Sequence, residues 1–423
     1  MAKLREKINT YYRRAVSADL TVFDILAKPN DFIEVSEWHN GDGYDITINE
    51  RHFLLTDGEL KAINHLVSIL EVASNTDFKK EEECSILIYM IITKTPFRMS
   101  FFGGGTDLPE FFNKYQGAVI STTFDKYVYV TVRHLPRFFD YSNEIFYSKT
   151  ERVNHVDEIN HPMVRNSMKL LKMHELHIAY DADLPARSGL GTSSTFAVGL
   201  LNAFYGLKNK TVSKKQLAND AIYVEREMCQ EAGGWQDQIA ASFGGFNRID
   251  FKNNDYEVTP IKISNERKEQ LNNNLLLFFT GFTRFSADIQ KDTKKNLESK
   301  EKELLTMYSL VNEAQDILEN NSRDLDDFGR LLDKTWKLKR QTGNQISTSN
   351  IDKLYQLGMD AGALGGKLLG AGGGGFLLFY VDKNHQENVR KALKDLMEVP
   401  FKFENEGTTF IYKEPEVYIK KGN

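Results

Sequence analysis

From Leu184 to Thr195 the chain reads Leu-Pro-Ala-Arg-Ser-Gly-Leu-Gly-Thr-Ser-Ser-Thr, and Phe196 to Phe204 continues it as an apolar helical pattern. Gly189 and Gly191 free backbone N–H groups, and the helix that opens there adds the positive end of its dipole. The hydroxyls of Thr192, Ser193 and Ser194 can bond oxyanions or a hydrated cation. The stretch Ser188, Gly189, Leu190, Gly191, Thr192, Ser193, Ser194 is therefore a candidate polyphosphate cradle, and no Walker lysine accompanies it. The plainer reading of the same residues is a tight N-cap on an ordinary helix.

Two more glycine-rich segments flank it, Thr95-Pro-Phe-Arg-Met-Ser-Phe-Phe-Gly-Gly-Gly-Thr-Asp-Leu-Pro109 upstream and Lys367-Leu-Leu-Gly-Ala-Gly-Gly-Gly-Gly-Phe376 downstream. The downstream segment formally satisfies G-x-G-x-x-G, but a strand is predicted after it and none before it, the reverse of the dinucleotide fingerprint. A Walker reading of Lys367 fails as well, because the first glycine would fall on Ala361 and Leu368 stands in place of Ser or Thr. The expected role of Gly370, Ala371, Gly372, Gly373 and Gly374 is to pack on the phosphate loop and complete a pocket.

Three such motifs in this order resemble the GHMP small-molecule kinases, the galactokinase, homoserine kinase, mevalonate kinase and phosphomevalonate kinase superfamily. Within it, Phe102-Gly-Gly-Gly-Thr-Asp-Leu-Pro109, Gly233-Gly-Trp-Gln-Asp-Gln238 and Phe243-Gly-Gly-Phe-Asn247 look like bacterial D-glycero-D-manno-heptose 7-phosphate kinases. The resemblance runs from about Met90 to about Lys413 and leaves residues 1–83 outside. It implies an α+β, two-domain GHMP kinase fold with the active site in the interdomain cleft, plus a small N-terminal extension. The implied domains are 90–255, which binds nucleotide, and 256–413, with 1–83 an accessory module.

The resemblance also implies roles. γ-Phosphoryl transfer from ATP needs positioning and charge neutralisation, and Mg²⁺ can be held by one hydroxyl and one carboxylate while keeping its waters. Motif matching gives Ser193 and Glu225 that role, Glu225 standing twelve residues before Asp237 as in the sugar-kinase branch. Asp237 is the candidate acceptor of the sugar hydroxyl proton. Arg98 matches an arginine found beside the catalytic aspartate in galactokinase-like relatives, where its fixed charge would favour both a carboxylate and an alkoxide-like acceptor oxygen. Gly104, Gly105, Thr106, Asp107 and Gly234 fit the sugar-binding positions, a plain Asx-turn being the alternative for Asp107. A distal phosphate on the acceptor calls for a cation, and Arg284, Arg165 and Lys126 are candidates by chemistry only.

Composition agrees with an ordinary globular protein: 423 residues, 41% hydrophobic and 27% charged, enough for two or three domains. A net charge of −5 argues against a nucleic-acid surface. The longest apolar run, Ile86 to Ile92, falls far short of the roughly 20 residues of a membrane helix and reads as a buried strand. The start lacks a secretory pattern and only Cys84 and Cys229 occur, so a reducing cytoplasm and no disulfide framework are expected. His155 and His161 show no metal-ligand spacing.

The elements that must position these residues follow from periodicity. A turn at Gly41-Asp-Gly43 lies between strands, a helix is predicted from Thr56, and 74–83 reads as a linker. Ala118–Thr123 and Tyr127–Val132 read as strands. Ser213 and Gln216 cap a helix whose face carries Leu217, Ala221, Val224 and Met228 and holds Glu225 at its edge. Beyond 256 come a strand at Leu275–Phe279, helices from about Ser286 to Glu319 and from Asp324 to Lys339, a strand at Phe376–Val381 and a helix from Glu387 to Met397. The predicted activity is phosphorylation of the anomeric hydroxyl of a heptose 7-phosphate. The rivals are an anomeric kinase for free fucose or galactose, and a catalytically silent sugar or nucleotide sensor on the same fold. The partner is in each case a small molecule.

Overall fold

The computed structural model describes residues 33–37, 43–48, 51–56, 84–136, 138–186, 188–281, 300–343, 346–370 and 372–420, with side chains described from 90 to 413 within those spans. Arg187, Arg284, Ala371, the linker at 74–83, the helix expected beyond Thr56 and the first part of the helix expected from Ser286 lie outside them. The chain divides into two compact units, Met1–Ser85 with Ile419–Asn423, and Ile86–Tyr418. In the first, β1 (Ile33–Glu37), β2 (Gly43–Ile48) and β3 (Arg51–Thr56) form an antiparallel sheet in the order β1-β2-β3.

The second unit is built on β4 (Cys84–Phe102) and β5 (Gly117–His134), a long antiparallel pair. The two strand segments expected at 118–123 and 127–132 are one strand, because the chain absorbs a register shift without leaving the sheet. The pair has two such shifts, one between Ser100 and Phe102 and one between Pro96 and Phe97, where a proline costs no ladder hydrogen bond just before Arg98. Around this pair, β6 (Asn143–Phe146), β7 (Thr150–Val153), β8 (Leu176–Ala182), β9 (Phe246–Lys252) and β10 (Asp255–Pro260) complete the path β10-β9-β5-β8-β6-β7. Two strands from the far end of the chain, β15 (Phe403–Glu404) and β16 (Thr409–Lys420), join the same sheet by pairing with β5 and β4. A linear division at residue 256 therefore misses a return of the chain: backbone groups at 403–420 find their partners in the first half's sheet.

On one face of this sheet lies helix α1 (Thr192–Leu207). It approaches β4 so closely that Thr93 Oγ1 donates to Gly199 O at 3.0 Å, and its apolar side chains from Phe196 to Leu207 are buried. Helix α2 (Lys214–Tyr223) begins at the expected cap, with the Ser213 side chain accepting from Gln216 N. Its continuation is not a regular α-helix, since Val224–Met228 widens into a π-helical turn that carries Glu225. The short helix α3 (Gln236–Phe243) starts one residue before Asp237.

The remaining sheet has the order β12-β13-β11-β14, formed by β11 (Leu275–Phe279), β12 (Gly365–Leu368), β13 (Phe376–Tyr380) and β14 (Met397–Glu398). Helices α4 (Glu301–Glu319) and α5 (Asp326–Arg340) pack on each other. Leu304, Met307, Val311, Ala314 and Leu318 supply α4's buried stripe at helical spacing. Phe328 of α5 is fully buried edge-on against Phe101 and Phe102 of β4, at 5.3 and 5.1 Å, and joins the two halves. Two expectations are corrected here. A strand, β12, does precede the third glycine motif, so the motif is a strand-to-strand connection. The last helix spans Gln386–Ala392 only, because Met397 leaves it to pair with Phe279 at the sheet edge. Among the described residues no helix is long and apolar enough to cross a membrane.

Candidate functional site

One cavity gathers residues from β4, the segment after it, the 188–194 loop, the π-turn, α3, α5 and β12. Its centre is an ion pair. Arg98, 4% exposed, donates from Nε to Asp237 Oδ1 at 2.7 Å and from Nη2 to Oδ2 at 2.8 Å, a bidentate fork, while Nη1 donates to Gly189 O at 2.8 Å. The same guanidinium thus ties the candidate proton acceptor to the backbone of the candidate phosphate loop, 139 and 91 residues away in sequence.

The loop is shaped for close approach. Gly191 caps α1 with φ 78°, and a Cβ there would stand 3.0 Å from Asp237 Oδ2. Gly189 and Gly370 interlock: both have positive φ, and a Cβ on Gly370 would lie 2.2 Å from Gly189 Cα. The third glycine motif packs on the loop through this contact, as expected from sequence, and Gly370 lines the cavity. Gly372, Gly373 and Gly374 do not; the Gly373 N–H donates to Ile346 O at 2.9 Å. Ser188, Gly189, Gly191, Thr192, Ser193 and Ser194 all line the cavity, and the buried hydroxyls of Ser188 and Thr192 have no protein partner. Leu190 is the exception, its side chain fully buried in the core. The first N–H groups of a helix have no intrahelical acceptor, so the start of α1 leaves donors at this loop.

Glu225 is 4% exposed and interacts with Ser193, Ser194 and Gln238. Burial pushes its carboxyl up to about 7, the hydrogen bonds of those three side chains opposing the rise. A carboxylate kept dry at this cost and set against Ser193 is a donor pair suited to a hard cation. Asp107, 3% exposed, accepts from Gly105 N at 2.9 Å and Gln236 N at 3.4 Å, and is raised by burial and then by Asp237. Gly234 has no room for a side chain, since a Cβ would fall 1.9 Å from Asp107 Oδ2.

Of the sugar-binding candidates, Gly104, Gly105, Asp107 and Gly234 line the cavity and Thr106 does not. Its hydroxyl is fully buried, its one proton shared between Gly103 O and Ala118 O while its oxygen accepts from Ala118 N, so it braces the loop after β4. Lys126 and Arg165 are also absent from the lining; Lys126 turns to Asp125 and Arg165 to Ile159 O.

Several lining residues were not singled out by sequence. Arg226 in the π-turn donates to Gly233 O and, at 3.0 Å, to Glu110, and so steadies the Gly233–Gln238 segment. Gln238 donates to Glu225. Ser100 and Lys339 also line the cavity, as does Lys367, which sequence weighed only as a Walker lysine. Lys339 lies three and four residues after the buried Trp336 and Thr335, on the inward face of α5, whereas Lys334 and Lys337 fall on the exposed face, so helical spacing was the signal that could have found it.

Two family models match the chain, GHMP kinases N terminal domain at residues 159–245 and GHMP kinases C terminal at 314–399. A D-glycero-alpha-D-manno-heptose 7-phosphate kinase of Campylobacter jejuni is 33% identical over 318 residues, covering 72% of this chain and 93% of the relative. Among solved structures, a D-glycero-D-manno-heptose 1-phosphate kinase from Bacteroides thetaiotaomicron aligns with TM-score 0.62 at 24% identity, over 76% of this chain and 99% of that one. Lactococcus lactis galactokinase in complex with galactose aligns with TM-score 0.58 at 17% identity, over 81% and 99%. The last two are similar in fold.

Proposed function

Since the chain belongs to the GHMP kinases and is a sugar kinase, we propose that it phosphorylates the anomeric hydroxyl of D-glycero-D-manno-heptose 7-phosphate with ATP, giving the 1,7-bisphosphate for nucleotide-activated heptose synthesis. The observation that carries this reading is the Arg98–Asp237 fork facing a glycine-hydroxyl loop in one cavity, in a chain similar to a heptose 7-phosphate kinase over 93% of that relative.

In this reading the triphosphate lies along Ser188–Ser194 at the start of α1, and Gly104, Gly105, Asp107 and Gly234 contact the sugar. Asp237 takes the proton of the attacking hydroxyl as its oxygen bonds to the γ-phosphorus. The bond between that phosphorus and the β,γ-bridging oxygen breaks, and ADP departs. Arg98 fixes the carboxylate so that it needs no reorganisation during the step, and its charge offsets that building on the acceptor oxygen. Ser193 and Glu225 fit Mg²⁺, which when bound neutralises phosphate charge.

The test is a phosphorus-31 NMR assay of ATP and Mg²⁺ against heptose 7-phosphate, free heptose, galactose and fucose. The expected product signal is an anomeric phosphate on heptose 7-phosphate. Turnover of galactose or fucose without turnover of heptose 7-phosphate overturns the assignment.

A further inference from the structure

Lys339 lies in the last turn of α5 and reaches the cavity. It is enclosed by protein yet keeps a fraction of its surface open, as a side chain facing a cavity should. Among the described residues no carboxylate stands within ion-pair distance of it; its ammonium donates to Gly370 O. The nearby acids are committed elsewhere. Both Asp237 oxygens face Arg98, and those of Asp107 accept from Gly105 N and Gln236 N.

The neighbouring cations make this isolation costly. Lys367, 1% exposed, spends its donors on Ser100 O at 2.8 Å and Phe101 O at 2.9 Å. Burial and then Arg98 push Lys339 down to about 8, while burial, Lys339 and Arg98 lower Lys367. Three basic side chains thus share one cavity, and the bidentate carboxylate there belongs to Arg98. The same cavity is lined by Ser100, 5% exposed, whose hydroxyl is buried without a protein partner. A buried polar group left unpaired costs stability, so an ammonium with a carbonyl but no counter-ion and an unpaired hydroxyl on one cavity describe a built site for an anion.

We infer that Lys339 is a phosphate-recognising residue of this cleft, its ammonium and the Ser100 hydroxyl receiving phosphate oxyanions. The inference rests on the kinase reading of the site. The phosphate has two sources, the group already carried by the acceptor sugar and the γ-phosphoryl group in transit. Lys339 takes over the part that Lys126 and Arg165, which do not reach the cavity, could have played by chemistry alone.

The experiment is steady-state kinetics of the full chain, Lys339→Met and Lys339→Arg, with heptose 7-phosphate, free heptose and ATP each varied. A charge-assisted hydrogen bond to phosphate is worth about 10- to 100-fold. If the acceptor's phosphate is the ligand, Lys339→Met raises KM for heptose 7-phosphate by that factor and leaves KM for ATP and for free heptose unchanged. If the ligand is the group in transit, kcat falls by that factor on both acceptors at constant KM. In either case Lys339→Arg recovers most of the loss. Unchanged kcat and KM values in Lys339→Met, or equal losses in the Arg and Met variants, overturn the inference.

Calorimetric titration of inorganic phosphate into the Mg-ADP-loaded protein separates this from the substrate assignment. Phosphate binding that is lost in Lys339→Met supports the inference even if no heptose is turned over, and equal binding by wild type and variant overturns it. Should Lys339→Met fail a thermal-melt check of folding, Ser100→Ala is titrated instead, where unchanged phosphate affinity overturns it.

Discussion

The cavity has two walls that hold positive charge in opposite ways. On the wall from β4 and α3, Arg98 is neutralised by both oxygens of Asp237 and anchored to Gly189 O. On the wall from α5 and β12, Lys339 and Lys367 have carbonyl oxygens for partners. A cation saturated by protein is pre-organised and fits a group that must not move during chemistry, whereas a cation satisfied only by carbonyls keeps its charge for an incoming anion. The first wall is accordingly suited to the proton and the acceptor oxygen, and the second to the charge that a phosphate brings.

The largest effect that tests this contrast comes from the first wall. Asp237→Asn keeps the shape but removes the proton acceptor, and kcat is expected to fall by about 10²- to 10⁴-fold with KM for ATP little changed. Retention of most activity would reduce Asp237 to a structural partner of Arg98. At the seam between the walls, Gly370→Ala puts a methyl against Gly189 Cα at positive φ. A loss of about 2–5 kcal/mol in denaturant unfolding is expected, with weakened ATP binding, because both backbones must part. A wild-type unfolding curve would mean that the loop and the motif are not in contact.

Smaller effects sharpen the picture. Thr106→Val removes a buried hydroxyl that shares its proton between Gly103 O and Ala118 O and accepts from Ala118 N, and should cost about 1–3 kcal/mol of stability, while sugar KM stays at the wild-type value. A selective rise in sugar KM would return Thr106 to the substrate site. Glu225→Gln keeps the size and removes the cost of a buried charge. Without Mg²⁺ the melting temperature is expected to rise by about a few degrees while turnover is lost. A lower melting temperature would mean that the carboxylate stabilises the fold by itself.

Local chemistry was readable in the sequence because glycine, hydroxyl and acid groups at short spacing already define a loop and a helix start. The start of α1 at Thr192 and the Ser213 cap depend on residues a few positions apart, and they appear where the spacing puts them. The Thr106 hydroxyl misled, because in sequence it sits beside Asp107 while in space it turns inward to Ala118. The last helix ended early for a similar reason: its apolar periodicity runs on to Met397, but a strand edge at Phe279 offered the backbone another partner.

The sequence by itself determined the three glycine motifs, the hydroxyl and carboxylate inventory of the site and the family to which they point. Only the tertiary structure decided which of many basic residues faces the cavity, where the π-turn would bury Glu225, and that 403–420 returns to the first sheet. The physical reason is range. Backbone propensity and capping act over a few residues, whereas burial, unpaired charge and strand pairing depend on groups brought together from positions hundreds of residues apart.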